Sequence, residues 1–130
     1  MKAYIFDPLW DELVTDELTD KLKANNIELI VTTKIAPLSD CAALFEGDDE
    51  RIICVNPDYV SWKLKSDDYI GIPNLKAILG AATSFSWIDA SYANEKGITI
   101  ANVRSFSTQA VAEWAVAMLL NVARQVPRLI

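Results

Sequence analysis

Apolar positions along this chain fall into two rhythms. Short runs, Ala3 to Phe6, Ile27 to Thr33, Arg51 to Val55, Leu75 to Leu79 and Ile98 to Ala101, are apolar with little polar alternation. Such runs predict strands of a sheet covered on both faces. Between them, longer segments repeat their apolar residues at helical spacing. Leu9, Leu13, Leu18 and Leu22 follow Asp7-Pro8, a cap with a proline near the first turn, and predict a first helix. Pro37 to Phe45 predicts a shorter second helix, Asp58 to Lys65 a third behind Asn56-Pro57, and Trp87 to Lys96 a fourth that stops at Gly97. Five strands with intervening helices make an α/β fold, a flavodoxin-like, doubly wound, five-stranded parallel sheet.

The last segment differs in kind. Residues 108–124, TQAVAEWAVAMLLNVAR, favour a helix throughout, and only Gln109, Glu113, Asn121 and Arg124 interrupt its apolar surface. A helix apolar nearly all round requires cover on several sides. Its uncharged stretch from Trp114 to Ala123 is about half the length a bilayer crossing needs, so a buried or subunit-interface helix is expected instead of a membrane span. The chain therefore divides into a sheet domain over 1–101 and a hinge loop with a protruding interdomain or dimerisation helix over 102–130.

Composition narrows the chemistry. The 130 residues carry 12 basic and 18 acidic side chains, a net charge of -6, with no basic face to neutralise phosphates. Nucleic acid and anionic membranes are excluded as expected partners. The opening Met1-Lys2-Ala3 leads directly into the first strand without a signal-peptide core, so a cytoplasmic location is expected. Histidine is absent, which removes the commonest general base and metal ligand. No metal site is expected. Cys41 and Cys54 lie among apolar neighbours and read as buried free thiols.

The block from Leu75 to Arg124 carries more specific information. Its ordered elements are Leu75-Lys76, Ile78, Ile88-Asp89, Ala93, Gly97-Ile98, Asn102, Val111-Ala112-Glu113 and Arg124. Their spacing resembles the amino-terminal, substrate-side region of the D-2-hydroxyacid dehydrogenases. The resemblance implies a small 2-hydroxy or 2-keto acid as substrate and NAD or NADP as cofactor of the complete enzyme. It also implies that backbone amides of the turn at Thr83, Ser84 and Phe85 bind the substrate carboxylate, that Phe106 stands where a substrate-contacting tyrosine occurs in the D-lactate branch, and that Thr108 approaches the nicotinamide end of the cofactor. Ala82 and Ser84 depart from the family pattern, which places glycines there, and glycine admits a positive φ that other residues resist.

Read as residues alone, the same positions have structural roles. Ser84 or Ser86 suits the N-cap of the fourth helix, whose free N–H groups would also favour a carboxylate. Thr108 suits the N-cap of the last helix, Glu113 its first turn, and Asp7 and Asp89 caps or turns. Arg104 reads as a solvated loop residue on the rim beyond the carboxyl ends of the strands, where ligands of such sheets bind.

The four glycines, Gly47, Gly71, Gly80 and Gly97, never form the G-x-G-x-x-G turn that receives a dinucleotide. The expectation is therefore a substrate-binding portion without its nucleotide-binding domain, inactive and free of bound cofactor alone, and forming a homodimer through helix 108–124. Two other classes remain. A receiver-like signalling module would use Asp7, Asn56, Thr83 and Arg104, but asparagine cannot form an acyl phosphate and one acid makes a poor magnesium site. A non-catalytic oligomerisation module would use the last helix alone.

Overall fold

A computed structural model describes residues 1–7, 9, 12, 14–32 and 38–125. Strands β1 (Lys2–Phe6), β2 (Glu28–Thr32), β3 (Arg51–Val55), β4 (Leu75–Gly80) and β5 (Thr99–Asn102) form one sheet in the order β2-β1-β3-β4-β5. Every pairing is parallel, with Ala3 opposite both Leu29 and Ile52, and Ile78 opposite both Ile53 and Ile100. The flavodoxin-like order expected from the element pattern is the order observed.

One face of the sheet is dry. Tyr4 and Phe6 of β1, Ile53 and Val55 of β3 and Ile78 of β4 are buried there with Leu38, Cys41, Phe45, Leu64, Tyr69, Ile72, Trp87 and Ile88. Aromatic edges interlock within this layer: the Tyr4 and Phe45 rings meet at 5.0 Å between centroids. The alternate residues Ile5, Ile52 and Cys54 are only partly covered. Equal cover of both faces, expected from the apolar runs, is thus not met among the described residues. The reason lies partly in helix α1 (Asp16–Ala24), which leaves none of its side chains fully buried.

The helical segments begin later or wind tighter than the apolar spacing suggests. Thr15, whose side chain accepts from the Leu18 N–H, caps α1, and Glu12 ahead of that cap is also helical. Pro8 and Leu13 of the expected helix, Thr33 at the expected end of the second strand and Pro37 at the start of the second helix lie outside the described residues. The expected second helix is a 3₁₀ segment, Leu38–Leu44. The third is a 3₁₀ turn, Pro57–Val60, followed by a single helical turn α2 (Ser66–Tyr69). Two left-handed residues, Ser61 and Trp62, prevent a continuous helix there. The fourth, α3 (Ala90–Glu95), starts at its Asp89 cap because Trp87 and Ile88 pair with Leu64 instead: the Leu64 N–H donates to Trp87 O and the Asp89 N–H to Leu64 O. Gly97, at φ +68, follows the C-cap Lys96, as expected.

The amino edge of the sheet is closed by one residue. Arg51 is fully buried, yet its partners are backbone carbonyls: Nη1 donates to Asp49 O and Pro73 O, and Nη2 to Phe45 O, Glu46 O and Gly47 O, at 2.8 to 3.1 Å. Its Nε has no partner among the described residues. A guanidinium with several donors in a rigid fork is the side chain that can gather so many oxygens. Outside it, Lys2 pairs with Asp49 at 2.7 Å, which holds that carboxyl below its usual range.

Helix α4 (Thr108–Ala123) ends the described chain and buries no residue. Val111, Trp114, Leu119 and Val122 are each more than 60% exposed. The cover that its composition demands is not supplied by the rest of the described chain. Among the described residues no helix is long and apolar enough to cross a membrane, and none group three or more potential metal ligands.

Candidate functional site

The carboxyl end of β4 builds the site. Gly80 ends the strand directly beneath the Trp87 indole, where a Cβ would come within 2.9 Å of the ring. The glycine is therefore required for contact with the indole. The chain then turns through Ala81 to Ser86, and Trp87 Nε1 reaches back to donate to Ser84 O at 2.7 Å. From the neighbouring strand end, Asn102 Nδ2 donates to Thr83 O at 2.6 Å and the Val103 N–H to Ala82 O at 3.1 Å. The turn's carbonyls are thus engaged from two sides. Its N–H groups are not: those of Thr83, Ser84 and Phe85 donate to no described residue.

The expected helix start is absent from this turn. Ser84 accepts from the Ser86 N–H, but the α3 cap is Asp89, so neither serine caps a helix and no helix dipole assists a ligand here. What the turn offers is three consecutive amides held by a braced backbone. Ala82 and Ser84 do not adopt positive φ, so glycine is not needed at either position for this backbone. The left-handed residue nearby is Ser105, at φ 59, in the loop that leads into α4.

An open cleft of about 680 Å³ lies between this turn and the start of α4. Thr83, Phe85, Asn102, Arg104, Thr108 and Val111 are among its walls. Thr83 and Phe85 are therefore brought together with Thr108, whereas Ser84 and Phe106 are not among the lining residues, and Phe106 stands 66% exposed. Thr108 is the first residue of α4, while Ser107 occupies the cap position without a side-chain bond, which corrects the N-cap expectation for Thr108. Glu113 sits beyond the first turn and accepts from Gln109 Nε2. A second cleft of about 500 Å³ adjoins the first and shares Phe85, Asn102 and Arg104.

The rest of the rim is structural. Asp7 is buried at the end of β1, where Oδ1 accepts from the Leu9 N–H and Oδ2 from Asn56 Nδ2. Both oxygens are engaged, and nearby Tyr59 has its phenol raised above its ordinary pKa by desolvation and then by the Asp7 charge. This arrangement ties β1 to β3, as expected of a turn-forming acid, and it does not offer the paired acids of a receiver site. Tyr69 donates to Asp89 O at 2.7 Å, and its burial pushes its own pKa up to about 12, so a neutral phenol anchors the α3 cap. Cys41 is buried and Cys54 partly so, both as free thiols, with burial pushing Cys54 up to about 11. Sequence reasoning missed Trp87 and the bracing role of Asn102. The ordered spacing of Asn102 was a signal for it, whereas nothing in the local pattern around Trp87 pointed to the turn.

The chain is similar to known proteins in sequence and in fold. The sequence profile of the D-isomer specific 2-hydroxyacid dehydrogenase catalytic domain matches residues 4–118. The hydroxypyruvate reductase of Blautia hydrogenotrophica is 35% identical over 54 residues, 42% of this chain and 17% of that protein. The D-3-phosphoglycerate dehydrogenase of Archaeoglobus fulgidus is 25% identical over 134 aligned positions, 98% of this chain and 22% of that protein. In fold, the chain is similar to the NAD-dependent formate dehydrogenase of Staphylococcus aureus solved with NAD, at TM-score 0.69 and 22% identity over 98% of this chain and 40% of that one. The chain thus spans 17% and 22% of the length of these two curated relatives.

Proposed function

Because the chain belongs to the D-isomer specific 2-hydroxyacid dehydrogenase family, we propose that it is the substrate-side wall of an NAD(P)-dependent oxidoreductase that interconverts a 2-hydroxy and a 2-keto acid. The observation that carries the reading is the run of three amides, Thr83 to Phe85, without described acceptors in a turn bordering the cleft. Backbone N–H groups fixed before the ligand arrives bind a carboxylate without ordering cost, and charge-assisted hydrogen bonds are the stronger kind. Phe85 supplies an apolar wall, Phe106, exposed on the hinge loop beside the cleft, is the position that contacts the substrate in the complete enzyme, and Thr108 faces the nicotinamide end of the cofactor.

The dinucleotide itself does not fit the described residues. A pyrophosphate needs a glycine-bearing turn at a helix start. Gly80, the glycine at a strand end, is instead filled by Trp87. The nicotinamide would supply the hydride from a second, nucleotide-binding domain, while this chain holds and orients the acid. On this reading residues 1–101 form the substrate domain, 102–130 form the hinge and helix, and the protein is cytoplasmic.

Helix α4 completes the proposal as a dimer contact. Hiding a large apolar side chain is worth roughly 1.5 to 3 kcal/mol, and a second copy supplies the cover. Light scattering should report a dimer that the paired substitutions Met118→Lys and Leu119→Lys dissociate; a monomeric parent chain contradicts it. For the binding reading, titration of the ¹⁵N-labelled chain with D-lactate or pyruvate should shift the Thr83, Ser84 and Phe85 amides at millimolar ligand. Shifts confined to other regions would overturn it.

A further inference from the structure

Arg104 is unlike every other residue of the cleft. It lines both adjoining cavities and is the one charged side chain among the residues that line either of them. Its guanidinium makes no ion pair or hydrogen bond with a described residue. Glu113, an acid on the first half of α4, is already engaged by Gln109. The chain as a whole carries a charge of -6, so a dianion meets overall repulsion and an attraction for one must come from a local cation.

The position of Arg104 relative to the amide turn is fixed by two bonds. Asn102 Nδ2 holds Thr83 O, and the Val103 N–H holds Ala82 O, so the Arg104 backbone departs from beside the turn. Arg104 is one residue beyond Val103, so its exposed side chain starts beside the turn that carries the three amides. A small acid with its first carboxylate on the turn and a second anion in the same cleft presents that anion to Arg104. A guanidinium fork matches the planar carboxylate at that far end.

We propose that Arg104 selects substrates carrying a second carboxylate, so that the cleft takes a small 2-hydroxy or 2-keto dicarboxylic acid. The proposal rests on the placement of the first carboxylate at Thr83 to Phe85. D-malate and D-lactate form a matched pair of probes, differing by the distal carboxylate. In titrations of the full ¹⁵N-labelled chain at low ionic strength, with the Thr83 to Phe85 amides as reporters, D-malate should bind about fivefold more tightly than D-lactate. Arg104→Gln should bring that ratio to about one, and Arg104→Lys, which keeps the charge without the fork, should retain part of it. Unchanged dispersion of the remaining amide signals shows that each variant folds. Equal affinities in the parent chain, or a preference that survives Arg104→Gln, overturn the proposal. So does an equal loss for both acids, which would mean that Arg104 holds the first carboxylate. If neither acid moves the reporter amides, the carboxylate placement itself fails and the selectivity with it.

Discussion

The two ends of the parallel sheet solve opposite problems with the same backbone groups. At the amino end, carbonyl oxygens of Phe45, Glu46, Gly47, Asp49 and Pro73 converge on Arg51, and a buried cation is satisfied almost completely by the main chain. At the carboxyl end, the turn after β4 has its carbonyls engaged by Asn102, Val103 and Trp87, while three of its N–H groups remain without described partners. One end is finished by the chain itself, and the other is braced but open. In a doubly wound sheet ligands bind beyond the carboxyl ends of the strands, and the distribution of hydrogen bonds here agrees with that division between stability and binding.

The comparison predicts where substitutions should hurt and how. Arg51→Met should be the most damaging change, because it removes several buried donors at once and leaves carbonyls of two loops unsatisfied. A loss of about 3 to 5 kcal/mol in urea unfolding is expected, with the folded fraction still binding D-lactate. A loss below about 1 kcal/mol would mean that water replaces the guanidinium freely and that the amino end is not closed as described.

At the other end, Gly80→Ala places a methyl group within 2.9 Å of the Trp87 ring. The indole must shift, at a cost of about 1 to 3 kcal/mol, and its bond to Ser84 O should be lost with it. The distinctive outcome is displacement of the Thr83 to Phe85 amide resonances beyond what the stability change explains. A destabilised chain with unmoved turn resonances would contradict the bracing role of Trp87.

The smallest effect concerns Cys54, the penultimate residue of β3. Burial keeps its thiol protonated in the folded chain up to about pH 11, against 9.0 for the unfolded reference. The stability it contributes is complete below pH 9.0 and is lost as the pH rises through about 11. Cys54→Ala should therefore flatten the fall in stability across that window. Identical alkaline slopes for the two proteins would show that the thiol is reached by solvent.

The fold was legible because strand rhythm and helix punctuation survive in a single sequence: five apolar runs, Gly97 after the fourth helix and Asp89 as a cap all stand where the pattern places them. Helix starts were not. Leu64 pairs with Ile88, 24 residues further along the chain and beyond the reach of local spacing, and this contact delays α3 until Ala90. Arg51 was hidden for a related reason. A basic residue in the strand RIICV advertises a partner, but its partners are carbonyls, which every residue has and no side-chain pattern reveals. Of the residues that line the cleft, Thr83, Phe85 and Thr108 were singled out by the family resemblance, whereas Arg104 gained its interest only from the cavities it borders.

The central claim is that the open end of the sheet, at the turn after β4, is where a carboxylate binds. Its most direct test is a crystal structure of the chain soaked with oxamate, which carries a carboxylate beside an amide in place of the substrate's reactive carbon. The account predicts the oxamate carboxylate within about 3 Å of backbone nitrogens among Thr83, Ser84 and Phe85, with the Asn102 to Thr83 bond intact. Oxamate bound elsewhere, with those three nitrogens contacting none of its oxygens, would contradict it.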